Sequence, residues 1–117
     1  MLTDKEMLKI AERYLKSIGE HFGGADIEVM IETDSTIKKP YGNIYYYDSK
    51  EYILTGNFDK SLVGNAPFLV ENKPNGRVIC FGTSNNLEYF IKAYENGTMT
   101  PSLDLYWYPD EDRFDYK

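Results

Sequence analysis

Residues 68–81 of this chain read FLVENKPNGRVICF, and this stretch decides the class of fold. Two strand-forming runs, 68–71 and 77–81, flank the turn sequence at 72–76. The proline of that turn fixes one backbone torsion in advance, while its asparagine and glycine accept a positive φ angle. The pattern therefore predicts a β-hairpin, and with it a sheet whose neighbouring strands run antiparallel.

Further strands are predicted on both sides of this hairpin. Residues 27–32 alternate between apolar and polar side chains, which is typical of a strand with one buried and one solvated face. Residues 43–48 read NIYYYD, and both faces of this strand are rich in apolar or aromatic side chains. It is therefore either central in the sheet or covered by a partner. A turn at 39–42 precedes it, and residues 103–108 supply a final strand.

The first helix has a clear beginning. Thr3 and Glu6 have the spacing of a capping box, in which each residue's side chain accepts a hydrogen bond from the other's backbone. The apolar residues that follow recur at helical spacing, and the residues between them are charged. The helix ends either at Gly19 or at the glycine pair 23–24, because glycine readily adopts the left-handed conformation of a helix end.

A second helix is predicted to start near Asn85, which has capping-box spacing to Glu88, to run to about Glu95, and to stop at the Asn-Gly pair at 96–97. Together these elements predict an α+β fold, an antiparallel sheet of four to five strands with two amphipathic helices mainly on one face. The whole chain, 1–117, is expected to form a single domain. Residues 109–117 are expected to be a loose acidic tail.

The charge balance is acidic, with 19 Asp and Glu residues against 13 Lys and Arg and a net charge of −6. Nucleic-acid binding depends largely on basic groups, so this balance argues against a nucleic-acid partner and is compatible with a basic protein. The lone Cys80 cannot form an internal disulfide, and no apolar run reaches the length of a membrane helix. We therefore expect a cytoplasmic protein with no membrane partner.

Residues that support catalysis or metal binding are scarce. One histidine, His21, and one cysteine, Cys80, are too few for the three or four ligands of a zinc site. Glu28 and Glu32 stand about 13 Å apart on one strand face, which is too far for the carboxylate pair of a glycosidase. We therefore expect no metal, no cofactor and no enzymatic activity.

Several motifs follow one another in a recognisable order between residues 41 and 94. They are the aromatic strand, Tyr47-x-Ser49-x-x-Tyr52, the sequence Gly64-Asn65-Ala66-Pro67, the hairpin and the second helix. In this order the chain resembles the immunity protein 35 family, also called the YrhB-like domain. The resemblance implies a small bacterial α+β protein that neutralises a polymorphic toxin made by the same cell. That family carries no agreed catalytic residues.

The expected function is therefore non-covalent blocking of a cognate toxin domain of basic charge. The chain contains 11 tyrosines, and tyrosine suits interfaces because its large apolar ring ends in a polar group. We expect the partner-binding surface to contain the carboxylates of Glu28 and Glu32, with Tyr45, Tyr47 and Trp107 as apolar anchors. The alternative is a chaperone-like or general protein-interaction module without a dedicated toxin, and a homodimer is left open.

Overall fold

The structure is a computed structural model that describes residues 1–19, 28–57, 66–74, 76–81, 86–98, 106–109 and 113–114. Within these ranges the helices are α1 (Asp4–Gly19), α2 (Lys50–Thr55) and α3 (Leu87–Asn96). The strands are β1 (Val29–Ile31), β2 (Ile37–Lys39), β3 (Gly42–Tyr45), β4 (Tyr47–Ser49), β5 (Phe68–Glu71), β6 (Val78–Cys80), β7 (Tyr106–Tyr108) and β8 (Arg113–Phe114). A 3₁₀ turn, Thr33–Ser35, lies between β1 and β2.

The strands form two antiparallel sheets, so the predicted α+β class is confirmed. The larger sheet has six described strands in the order β2-β3-β5-β6-β7-β8, and the smaller sheet pairs β1 with β4. The larger sheet therefore exceeds the four to five strands that we expected. The two strands at its ends, β2 and β8, are three and two residues long, which is too short for a periodic pattern to reveal them.

The predicted hairpin at 68–81 is confirmed as β5 and β6. Val70 pairs with Val78 across it. The N–H of Gly76 donates to the carbonyl of Lys73 at 2.8 Å, and the φ angle of Gly76 is 57°, in the left-handed region that glycine adopts at little cost. Asn75, the other predicted turn residue, lies outside the described residues.

Helix α1 begins as predicted. The N–H of Thr3 donates to Oε1 of Glu6 at 3.0 Å, and the N–H of Glu6 donates to Oγ1 of Thr3 at 3.2 Å, which completes the capping box. The described part of the helix runs to Gly19, the first of the two predicted end positions, and the glycine pair 23–24 lies outside the described residues. Its buried face packs on the larger sheet through Met7, Ala11, Tyr14 and Leu15.

Helices α1 and α3 lie on opposite faces of the larger sheet, which differs from our expectation of two helices mainly on one face. Side chains alternate across a strand, and both faces of β3, β5 and β6 are apolar. The face that meets α1 contains Tyr45, Phe68, Val70 and Val78. The face that meets α3 contains Ile44, Leu69 and Ile79. A sheet with two apolar faces needs cover on both, and one helix supplies each.

The predicted strand at 43–48 is interrupted at Tyr46. Its first part is β3, which lies between β2 and β5, and its second part is β4, which leaves the larger sheet and pairs with β1. Tyr45 and Tyr47 on either side of the break are both buried, and β3 is an inner strand of the larger sheet, which is the first of the two predicted alternatives. The break places β1 beside α1, where Val29 and Ile31 pack with the helix.

Three residues of the predicted loose tail, 109 and 113–114, are described, and they form regular contacts, while the rest of that tail lies outside the described residues. Residues 109–117 were expected to be loose, yet Phe114 pairs with Trp107 and Arg113 pairs with Tyr108. The carbonyl of Pro109 also accepts a hydrogen bond from Nη2 of Arg13 at 2.6 Å. The strand pairing and this contact with α1 hold the described part of the segment in place.

The cap of α3 is Asn86, whose Oδ1 accepts a hydrogen bond from the N–H of Tyr89 at 2.9 Å. The predicted cap, Asn85, lies outside the described residues, as do His21 and residues 103–105. The helix stops before Gly97 as predicted. No helix in the described ranges is both long and apolar enough to cross a membrane.

Candidate protein-docking groove

A groove of about 540 Å³ lies between α1 and β1. Its apolar wall is formed by side chains from both elements, namely Leu8, Leu15, Val29, Met30 and Ile31. Its polar rim consists of Glu12, Lys16, Glu28, Thr33 and Lys50. An apolar groove with a polar rim is the usual construction of a surface that binds another molecule.

Both sides of the groove follow from local sequence patterns. On α1, Leu8, Glu12 and Leu15 recur at intervals of four and three residues, so they form one strip along the helix surface. On β1, Val29 and Ile31 share one face because side chains alternate along a strand. The groove is therefore built from regular elements rather than from loops.

The outer edge of β1 presents unpaired backbone groups. The N–H of Glu32 and the carbonyl of Glu28 both form hydrogen bonds on the β4 side, each at 2.8 Å. In an antiparallel pair alternate residues face the partner strand, so the N–H and C=O groups of Val29 and Ile31 face away from β4. No residue in the described ranges forms a hydrogen bond with these four outward groups.

Acidic residues flank strand β1. Glu28 and Glu32 bound the strand, Asp34 follows in the 3₁₀ turn, and Glu51 lies at the start of α2. Nζ of Lys50 forms an exposed ion pair with Oε2 of Glu28 at 3.4 Å, and water screens such pairs strongly. The lining of the groove itself is charge-balanced, with Glu12 and Glu28 against Lys16 and Lys50, and the further carboxylates lie outside this lining.

Of the five predicted partner-binding residues, the structure places only Glu28 in the lining of this groove. Glu28 is exposed and lines the rim, and Glu32 follows the other end of β1. The three predicted aromatic anchors are buried instead, with exposed fractions of 2% for Tyr45, 5% for Tyr47 and 1% for Trp107. All three belong to the core beneath α1. The prediction that these rings are surface anchors is therefore wrong, because they fill the core.

The buried tyrosines are held as neutral phenols. Burial raises the pKa of Tyr47, and the nearby Cys80 and Asp48 raise it further. Burial also raises the pKa of Tyr45, although a hydrogen bond from Nδ2 of Asn43 to its hydroxyl, at 3.1 Å, acts in the opposite direction. These hydroxyls therefore contribute to packing and internal hydrogen bonding.

Sequence reasoning missed two of the residues that form the apolar wall, Leu8 and Met30. Leu8 lies outside the main buried face of α1, and Met30 lies on the predicted solvated face of its strand, between Glu28 and Glu32. An apolar side chain at a position where the periodicity calls for a polar one is a usable signal of a second contact surface. Met30 is the clearest example in this chain.

A buried ion pair involving Glu71 is the second cluster of charged side chains. Glu71 is 1% exposed, and it accepts hydrogen bonds from Nε of Arg77 at 2.8 Å and from the hydroxyl of Tyr94. Burial alone would raise the pKa of Glu71, but the hydrogen bonds and charge of Arg77 and the Tyr94 hydroxyl lower it. Because this cluster joins the hairpin to α3, we interpret it as structural.

Cys80 packs against the core beneath α1, and its Sγ lies 3.1 Å from the hydroxyl of Tyr14. A small, partly buried thiol of this kind usually serves packing. Among the residues that the structure describes, no three His, Cys, Asp or Glu side chains form a group that could hold a metal ion.

A second groove, of about 550 Å³, lies between β2 and α3. Its strand carries Lys38 and Lys39 beside Ile37, and lysines on an edge strand hinder pairing with another chain. Nζ of Lys38 also forms an ion pair with Oδ2 of Asp4 at 2.7 Å. Strand β1 carries no lysine, so the groove between α1 and β1 is the better candidate for docking.

Comparison with known proteins identifies one similar protein. The chain is 28% identical over 95 residues to the uncharacterized protein YrhB of Escherichia coli (strain K12), and the match covers 81% of this chain and 90% of YrhB. The YrhB part of the resemblance is thereby confirmed. No family model matches the sequence, and no solved structure matches it significantly.

Proposed function

We propose that this chain is an immunity protein of the immunity protein 35 type, which binds a cognate bacterial toxin domain and blocks it without covalent chemistry. The binding site is the groove between α1 and β1. The observation that carries the proposal is an apolar groove beside an unpaired strand edge, with Glu28 on the groove rim and Glu32 directly after β1.

The charge of the chain supports a basic partner. The net charge is −6, and Glu28, Glu32 and Asp34 flank β1 against Lys50. Opposite charges on two proteins accelerate their encounter and align them before contact. A basic toxin domain would therefore be attracted to the same groove that offers it apolar contacts. We place this encounter in the cytoplasm of the cell that makes both proteins.

One motif of the resemblance has a structural role beside the groove. Oγ of Ser49 accepts a hydrogen bond from the N–H of Tyr52 at 3.1 Å, which caps α2, while Tyr47 is buried in the core. The Tyr-x-Ser-x-x-Tyr motif thus fixes the turn from β4 into α2, next to β1. This motif supports the proposal because it shapes the elements that border the docking surface.

The groove also fits the alternative of a chaperone-like module. An open apolar wall beside an unpaired strand edge can bind extended segments of many unfolded chains. The two functions differ in selectivity, since an immunity protein binds one toxin tightly and a chaperone binds many partners weakly. Suppression of the heat aggregation of an unrelated protein, without binding to the toxin, would favour the alternative.

Association kinetics between the purified chain and the toxin domain encoded beside its gene test the proposal. We expect the association rate to fall as salt rises through about 0.15 M, where the screening length is about 8 Å, while dissociation changes little. Glu28→Lys should slow association because it reverses a charge on the groove rim.

Glu88→Lys is the matched control. Glu88 is exposed and pairs with Lys92 at 4.0 Å on α3, much as Glu28 pairs with Lys50 at 3.4 Å beside the groove. Both variants change the net charge equally and both break an exposed ion pair. Equal slowing by the two variants would show that the groove is not the binding site, and no complex with wild type would contradict immunity for that pair.

A further inference from the structure

We propose that the partner binds by adding an extended strand to the outer edge of β1, antiparallel to it. This inference rests on the proposed function, because it names the binding mode at the same groove. Strand addition is an established way for a protein to bind an extended segment of its partner, with backbone hydrogen bonds holding the strand and side-chain contacts selecting it.

Four backbone groups carry the inference, namely the N–H and C=O groups of Val29 and Ile31. They point away from β4 and have no hydrogen-bond partner within the described ranges. Val29 is partly exposed and Ile31 is 5% exposed, both as whole residues. An antiparallel strand would satisfy all four groups at once.

The side chains around this edge define which strand fits. Residues opposite Val29 and Ile31 would lie on the strand face that packs toward α1, so they should be apolar. Residues opposite Glu28 and Glu32 would lie on the other face, where a basic side chain pairs favourably with each carboxylate. The partner strand should therefore read basic, apolar, any residue, apolar, basic.

A second copy of this chain does not meet that requirement. Antiparallel pairing of two β1 strands about Met30 would place Glu28 of each copy directly opposite Glu32 of the other. Like charges directly opposite one another destabilise a strand pair. Charge complementarity therefore selects a basic strand from another protein over a homodimer through this edge.

A designed peptide tests this mode with the intact chain. The probe is the nine-residue peptide Gly-Ser-Lys-Val-Thr-Val-Lys-Ser-Gly, whose two valines would lie opposite Val29 and Ile31. We expect it to bind and to slow the amide hydrogen exchange of Val29 and Ile31, as followed by NMR. Replacing both peptide lysines with glutamate should weaken binding about tenfold or more at low salt.

N-methylation of the peptide provides the decisive control. Methylation of both valine nitrogens removes the two donors that would bond to the carbonyls of Val29 and Ile31, and should weaken binding about tenfold or more. Methylation of the central threonine nitrogen, which would face away from β1, should change affinity less than about twofold. Equal binding of the two methylated peptides would overturn the proposal. So would an absence of binding at about 1 mM unmodified peptide.

The same readout separates this inference from the proposed function. If the chain neutralises its toxin but the amide exchange of Val29 and Ile31 is unchanged in the complex, strand addition is overturned and immunity stands. If the peptide binds as described but no neighbouring toxin is neutralised, immunity fails and strand addition at β1 stands.

Discussion

Among the described glycines, Gly42 leaves the least room for a side chain. A β-carbon at this position would lie 2.1 Å from the carbonyl oxygen of Val70 on the neighbouring strand, and a backbone atom cannot rotate away. We expect Gly42→Ala to lower the free energy of unfolding by about 2–3 kcal/mol, measured by urea denaturation. Gly97→Ala, at a helix end with nothing within 4 Å, should cost only about 1 kcal/mol. Equal losses in the two variants would contradict the tight approach at Gly42.

The buried ion pair of Glu71 leads us to predict how the stability of the fold depends on pH. Its pKa is lowered in the folded protein from the ordinary value of 4.5, so its ionised form stabilises the fold fully above that value. This contribution is lost as the pH falls through the folded pKa. We therefore expect the free energy of unfolding to drop between pH 6 and pH 3 more steeply in wild type than in Glu71→Gln, whose side chain does not titrate. Parallel pH profiles would contradict this account of the ion pair.

At the scale of elements, the capping box of α1 is open to a direct test. Both of its hydrogen bonds are present, so Thr3→Ala should lower the free energy of unfolding by about 1 kcal/mol without changing strand content. Lys5→Ala, on the exposed face of the same helix, should stay within about 0.5 kcal/mol of wild type. Thermal unfolding followed by circular dichroism measures both, and a melting temperature unaffected by Thr3→Ala would contradict the cap.

Elements that are specified locally could be predicted from the sequence, and their long-range arrangement could not. The hairpin with Gly76 and the start of α1 at Thr3 each depend on a few neighbouring residues, and both are confirmed. The faces that α1 and α3 cover depend on contacts between distant segments. A strand with two apolar faces, such as the one around Ile44, needs cover on both sides without specifying which helix provides it.

The candidate site shows the same limit. The alternation of residues 27–32 was enough to propose Glu28 and Glu32 as surface residues, because a charged side chain beside an apolar one indicates a solvated face. It could not show that Tyr45 and Trp107 lie in the core, since an aromatic ring serves a core and an interface equally well. Nor could it show the groove, which exists only because β4 leaves the larger sheet to pair with β1.

At the scale of the whole molecule, the two faces of the larger sheet are covered from within the chain, by α1 on one side and α3 on the other. The smaller sheet lies beside α1, and the described residues leave its β1 edge unpaired. This edge, with the apolar groove beside it and Glu28 and Glu32 at its ends, is therefore the described surface best suited to binding another protein.

The most direct test of that claim is the survival of bacteria that express the toxin domain encoded beside this chain's gene together with variants of this chain. We predict that wild type and Glu88→Lys protect the cells, and that the double variant Glu28→Lys with Glu32→Lys loses protection at the same soluble level. Because the substituted positions are exposed or partly exposed, the double variant should still fold. Full protection by the double variant would contradict docking at the groove, and continued toxicity at full expression of wild type would contradict the immunity function for that pair.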